Sequence, residues 1–149
     1  MPGPAGSMRR RCALGLLAAL CAGCMPMQPS PGAGGTPLAP SGLAGAWRIE
    51  RIDGADVIEA SRPSVEFGPG ERVGGTGGCN RFFGRQAADG AGLRVEVTGT
   101  TRMACAAPLA AQEARLLARL ARIDSARRLP DGSVLLDAGA GGQLLLRRP

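Results

Sequence analysis

The chain has 149 residues, with 18 basic and 12 acidic side chains, a net charge of +6, and neither histidine nor tyrosine. Lacking histidine, it cannot build a Ser-His-Asp or Cys-His catalytic arrangement, and it lacks the commonest zinc ligand, so neither a metal nor a cofactor is expected. Every basic residue is arginine, and arginines alternate with acids without a long basic block, so the charge is not the footprint of a nucleic-acid-binding protein.

The amino terminus reads as an export signal. Arg9-Arg10-Arg11 is followed by an apolar run over 12–22 and then Gly23-Cys24. A basic stretch, a short apolar run and small residues before a break describe a secretory signal peptide. The run is too short to cross a bilayer, which takes roughly twenty residues. Ala22-Gly23-Cys24 resembles the lipobox of bacterial lipoproteins, whose cysteine is acylated and becomes the first residue. Cys21 stands where that motif usually has Leu. The alternative is an incidental thiol beside an ordinary cleavage site. Acylation at Cys24 would attach the chain to a membrane, since several buried acyl chains hold far more firmly than one. Loss of residues 1–23 would remove three arginines and lower the net charge from +6 to +3. Met25 follows Cys24 where inner-membrane lipoproteins of enteric bacteria carry Asp. The expected address is therefore the cell envelope, on the periplasmic face of the outer membrane.

Residues 25–41 are rich in Pro, Gly, Ala and Ser without apolar periodicity, as in a flexible tether with a reach of about 25 Å. The expected organisation is a signal peptide over 1–23, a tether over 24–42 and one domain over 43–149. Strand signals begin at once in that domain. Residues 46–52 alternate, with Trp47, Ile49 and Arg51 on one face, before a turn at Asp53-Gly54. Residues 63–67 place Val65 and Phe67 together, and Gly68-Pro69-Gly70 turns the chain into 71–75. Leu93, Val95 and Val97 alternate with charges. Residues 133–137 and 143–147 form a last pair around a glycine-rich loop. The 109–123 segment differs: Leu109, Leu116, Leu117, Leu120 and Ile123 recur at helical steps, and Pro108 suits a first helical turn. The spacing predicts a mainly β, α+β fold: one small domain of antiparallel strands curled into a barrel-like sheet, packed by one amphipathic helix.

Chemistry concentrates in two segments, Gly77-Gly78-Cys79-Asn80-Arg81-Phe82-Phe83-Gly84 and Thr100-Thr101-Arg102-Met103-Ala104-Cys105. Cys79 and Cys105 are the cysteines left after Cys24 in an exported chain. In an oxidising compartment a disulfide is the favoured reading, and two buried free thiols the other. A pair so far apart, with no C-x-x-C, does not suit redox catalysis. The glycines before Cys79 suit a bulge or bend more than a phosphate loop, because no Lys-Ser/Thr follows. A disulfide would bring Arg81 and Arg102 together, with Glu113 on the helix as a candidate carboxylate for them. That cluster reads either as a structural network or as an anion-binding patch.

These residues resemble the META domain family, typified by the HslJ-like heat-shock lipoproteins. Cys79-Asn80-Arg81-Phe82 with Gly84 resembles the first signature. Thr101-Arg102-Met103-Ala104-Cys105, continued by Pro108 and Glu113, resembles the second. Trp47 and the Leu135-Leu136…Gly142…Leu144-Leu145 pattern extend the match over most of 43–149. The resemblance implies a barrel-like β-domain with one helix in exported or lipid-anchored proteins, some linked to heat shock or antibiotic tolerance. It supplies no catalytic residues. The expected function is that of a non-enzymatic envelope lipoprotein, a monomer serving stress tolerance or binding another envelope component. An alternative is a lipocalin-like carrier of a small hydrophobic ligand. An enzyme using Glu66, Glu96 or Glu113 is the weakest reading, because no carboxylate pair has a telling spacing.

Overall fold

The computed structural model describes residues 34–149, which belong to one compact unit, Pro31–Pro149. The signal peptide, Cys24 and the first part of the tether lie outside the described residues. In chain order the strands are β1 (Thr36–Pro37), β2 (Gly45–Ile52), β3 (Ala55–Asp56), β4 (Ser64–Phe67), β5 (Arg72–Thr76), β6 (Arg81–Asp89) and β7 (Gly92–Thr100). The helix α1 (Ala107–Leu120) follows, then β8 (Arg122–Arg128), β9 (Val134–Ala138) and β10 (Gly142–Arg147). Neighbours in the order β8-β7-β6-β5-β4-β2-β10-β9 pair antiparallel, and β9 pairs back onto β8. Eight strands thus close into a barrel. The two-residue strands β1 and β3 add to β8 and β2.

Alternation explains the interior. Trp47, Val65, Phe67, Val73, Phe82, Leu93, Val95, Leu136, Leu144 and Leu146 point inward and are buried. The helix packs against β7, β8 and β10 and adds Leu116 and Leu120 to the same core. Side chains fill the barrel, as expected for eight strands. A lipocalin-like carrier, also eight-stranded, would instead hold its ligand in an interior cavity. One groove of about 960 Å³, open to solvent, runs along β2 and the 56–63 connection.

Packed structure is already present before the boundary expected at Gly42. β1 pairs with Arg127 and Arg128, Leu38 N–H donates to Ala126 O at 2.8 Å, and a 3₁₀ turn over Pro40–Leu43 delivers Leu43 to the core. Proline is tolerated on an edge strand and at a helix start, so composition alone made this stretch look like tether. Trp47 Nε1 donates to Leu43 O at 2.6 Å. The Arg148 guanidinium lies 3.8 Å from the Trp47 ring centroid and donates to Ala44 O and Ala46 O. Both ends of the domain are therefore fastened around one indole.

Bulges account for the elements the pattern hid. Leu145 pairs with Arg51 but Leu146 with Ile49, so Glu50 is an extra residue in β2. The phase flips there: Ile52 turns inward and Arg51 is exposed, against expectation. In β8, Asp124 is extra between Ile123 and Ser125. Its buried residues Ile123 and Ala126 then stand three apart, which imitates a helix, and Ile123 belongs to this strand rather than to α1. β6 escaped notice because Gly84 and Gln86 follow Phe82 at its inward positions. Gly84 is required there, since a Cβ would overlap Glu96 O.

Candidate functional site: the disulfide-joined signature loops

The loop between β5 and β6 closes on itself. Gly77 N–H donates to Asn80 O at 2.9 Å, Thr76 Oγ1 donates to the same oxygen at 3.1 Å, and Gly78 N–H donates to Thr76 Oγ1 at 3.1 Å. This presents Cys79 and Asn80 to the 101–106 connection between β7 and α1. Cys79 and Cys105 form a disulfide, with Cα atoms 6.2 Å apart and a sequence separation of 26.

Asn80 occupies the centre. Its backbone N–H donates to Glu113 Oε2 at 2.7 Å and its side-chain Nδ2 to Glu113 Oε1 at 2.9 Å. Its Oδ1 accepts from Thr101 Oγ1 at 3.1 Å and from Met103 N–H at 2.8 Å. Nδ2 also lies 3.4 Å from Cys105 Sγ. Arg81 N–H donates to Thr101 Oγ1 at 3.0 Å, and Thr101 N–H returns a bond to Arg81 O at 2.9 Å. One amide thus ties the first signature to the second and both to the helix. Helical spacing makes this possible, because Glu113 lies about one turn in from Leu109, near the start of α1.

The next helix residue back does similar work. Gln112 is 2% exposed; its Oε1 accepts from Ile58 N–H at 2.7 Å, and its Nε2 donates to Ser61 Oγ at 2.9 Å and Gly77 O at 3.4 Å. A buried amide needs such partners. Gln112 was not singled out from the sequence, although its place on the stripe between Leu109 and Leu116 was the available signal. Gly77 is packed between these groups, and a Cβ there would overlap the Glu113 side chain.

The expected pairing of Glu113 with the arginines is not formed. Glu113 holds Asn80 instead of Arg81 or Arg102, and both guanidinium groups are exposed with no ion pair among the described residues. The cause is the direction of the strand: Arg81 faces outward on β6 while Phe82, paired with Thr100, is buried. Met103 is 62% exposed. Glu66 and Glu96 stand on β4 and β7, separated by β5 and β6, and Glu113 is committed to Asn80.

Elsewhere, acids serve as outer staples. Asp53 accepts from Arg119 at 2.8 Å and from Gln143 N–H at 3.0 Å, and the Arg119 hydrogen bond leads in holding its pKa below the ordinary value. Asp131 is held at about 2, first by the Ser133 hydroxyl and N–H and then by Arg147. For Asp137 burial opposes ionisation, but hydrogen bonds from Ser125 and Gln143, with Arg127, outweigh it and lower the pKa. Among the described residues no group of three or more His, Cys, Asp or Glu is placed to hold a metal.

Fold and site together define a closed antiparallel β-barrel with one packed helix, whose two Cys-bearing loops are locked to that helix through Asn80 and Glu113. The chain belongs to the META domain family, whose model matches residues 41–149. Two solved solution structures share the fold. One, of a protein from Burkholderia xenovorans, is 23% identical with a TM-score of 0.62, covering 84% of this chain and 99% of that one. The other is 24% identical with a TM-score of 0.52, covering 70% of this chain and 89% of that one. Among curated proteins there is no match to this sequence.

Proposed function

We propose that the protein is a non-enzymatic envelope lipoprotein, acylated at Cys24 and exposed to the periplasm. Its META domain serves as a rigid, monomeric module for stress tolerance or for binding an envelope component. The observation that carries this reading is the Cys79–Cys105 disulfide joining the two signature segments, because such bonds persist in oxidising compartments. The lipobox-like Ala22-Gly23-Cys24 supports the anchor, and Met25 supports the outer membrane. The polar signature groups favour architecture over catalysis: Thr101 and Glu113 both bond Asn80, leaving the family residues as a scaffold.

Intact-mass measurement on the membrane fraction tests this. A mass beginning at acylated Cys24, with Cys79 and Cys105 alkylated only after reduction, supports it. An unacylated chain with freely alkylated thiols overturns it.

A further inference from the structure

Beyond the anchoring role, and independent of it, we infer that Phe83 and Met103, flanked by Arg81 and Arg102, form a docking face for an anionic lipid surface. Among the described residues only three large apolar side chains are exposed, and two are here: Phe83 at 59% and Met103 at 62%. The backbone places the four residues at one corner of the domain. Arg81 and Phe83 share the outer face of β6, two residues apart, with Phe82 turned inward. Arg81 exchanges bonds with Thr101, and Met103 N–H binds Asn80, so Arg102 and Met103 follow at the same corner.

The corner is stiff. The Phe83 ring lies across Gly99, where any Cβ would overlap it, and the disulfide and the Asn80 network fix the backbone beneath. Apolar groups that cannot fold inward remain available to a partner.

Charge selects the partner. Among the described residues neither arginine has an ion pair, and the nearby Glu113 is committed to Asn80, so the corner presents two unneutralised guanidinium groups beside two exposed apolar side chains. Planar, weakly hydrated guanidinium suits phosphate oxygens. Protruding aromatic and thioether groups ringed by arginine suit the boundary between headgroup and acyl chain. An acidic protein would share the charge, but Phe83 and Met103 stand out from the surface, which suits insertion into a lipid boundary.

The test uses the full chain with Cys24→Ser, so that acylation plays no part, and reads position 83 locally. Phe83→Trp is compared with Ala91→Trp, placed in the turn at the far end of the β6–β7 hairpin. The native Trp47 is fully buried and contributes a constant background. With vesicles of brominated phosphatidylglycerol, emission from position 83 is expected to shift to the blue and fall at least about twofold, while position 91 stays unchanged. Brominated phosphatidylcholine should have little effect. Adding Arg81→Gln and Arg102→Gln should weaken partitioning at position 83 by about 25-fold, each arginine being worth roughly fivefold at an anionic surface. Equal responses at 83 and 91, an equal response to uncharged vesicles, or a silent position 83 on vesicles that bind the chain would each overturn the proposal. So would a blue shift at 83 caused only by a soluble Glu/Phe copolymer, which would assign the face to an acidic protein.

Discussion

Glu113 holds Asn80 by both of its donors, the backbone N–H at 2.7 Å and the side-chain amide at 2.9 Å. The helix, the β5–β6 loop and, through Asn80 Oδ1, the 101–103 segment are therefore one hydrogen-bonded body. The arrangement is half-buried, so the bonds exchange with water only at a cost.

Asn80→Ala should lower stability by about 2–4 kcal/mol, because it orphans donors on Thr101 and Met103 and the Oε1 acceptor of Glu113 together, the backbone N–H to Oε2 being kept. Glu113→Ala should cost about 2–3 kcal/mol. Denaturant titration of both singles and the double should show a coupling of about 1–3 kcal/mol. Additive losses would show that the two residues act separately.

Gly77→Ala should destabilise by about 1–3 kcal/mol through overlap with the Glu113 side chain, which its two bonds to Asn80 keep from moving aside. In a Glu113→Ala background the same substitution should cost less than half as much. An undiminished effect would place the strain in the backbone instead.

Reduction of Cys79–Cys105, or Cys79→Ser with Cys105→Ser, should lower stability by about 3–4 kcal/mol for a bridge spanning 26 residues. Urea midpoints with and without reductant measure this. A negligible shift would mean that the Asn80 network alone holds the reduced loops.

Acid sensitivity should be traceable to Asp131. Its folded pKa is depressed from 3.8 to about 2 by Ser133 and then Arg147. A depressed acid contributes stability above its unfolded pKa, and that contribution disappears as pH falls through 3.8 toward 2. Asp53 and Asp137, also lowered, act in the same sense. Asp131→Asn should therefore flatten the fall in melting temperature between about pH 4 and pH 2 relative to the parent chain. Parallel curves would remove Asp131 from the account.

Local pattern made much of this protein legible. The alternation of Trp47 and Ile49, of Val65 and Phe67, and of Leu93 and Val95 identified strands, and the Leu116–Leu120 spacing identified the helix, because each period places apolar groups on one face. The two cysteines and their motifs marked the site and the family, since the disulfide depends on residue type and compartment. Tertiary structure alone decided the rest. Bulges at Glu50 and Asp124 shift the phase of β2 and β8, and a single sequence does not announce an inserted residue whose cause lies on the neighbouring strand. Pro37 and Leu43 join the barrel only because β8 and the core lie ready to receive them. The choice of Asn80 rather than Arg81 by Glu113 rests on which face of β6 meets the helix: spacing sets the period of a side chain, and packing against the rest of the barrel sets its direction.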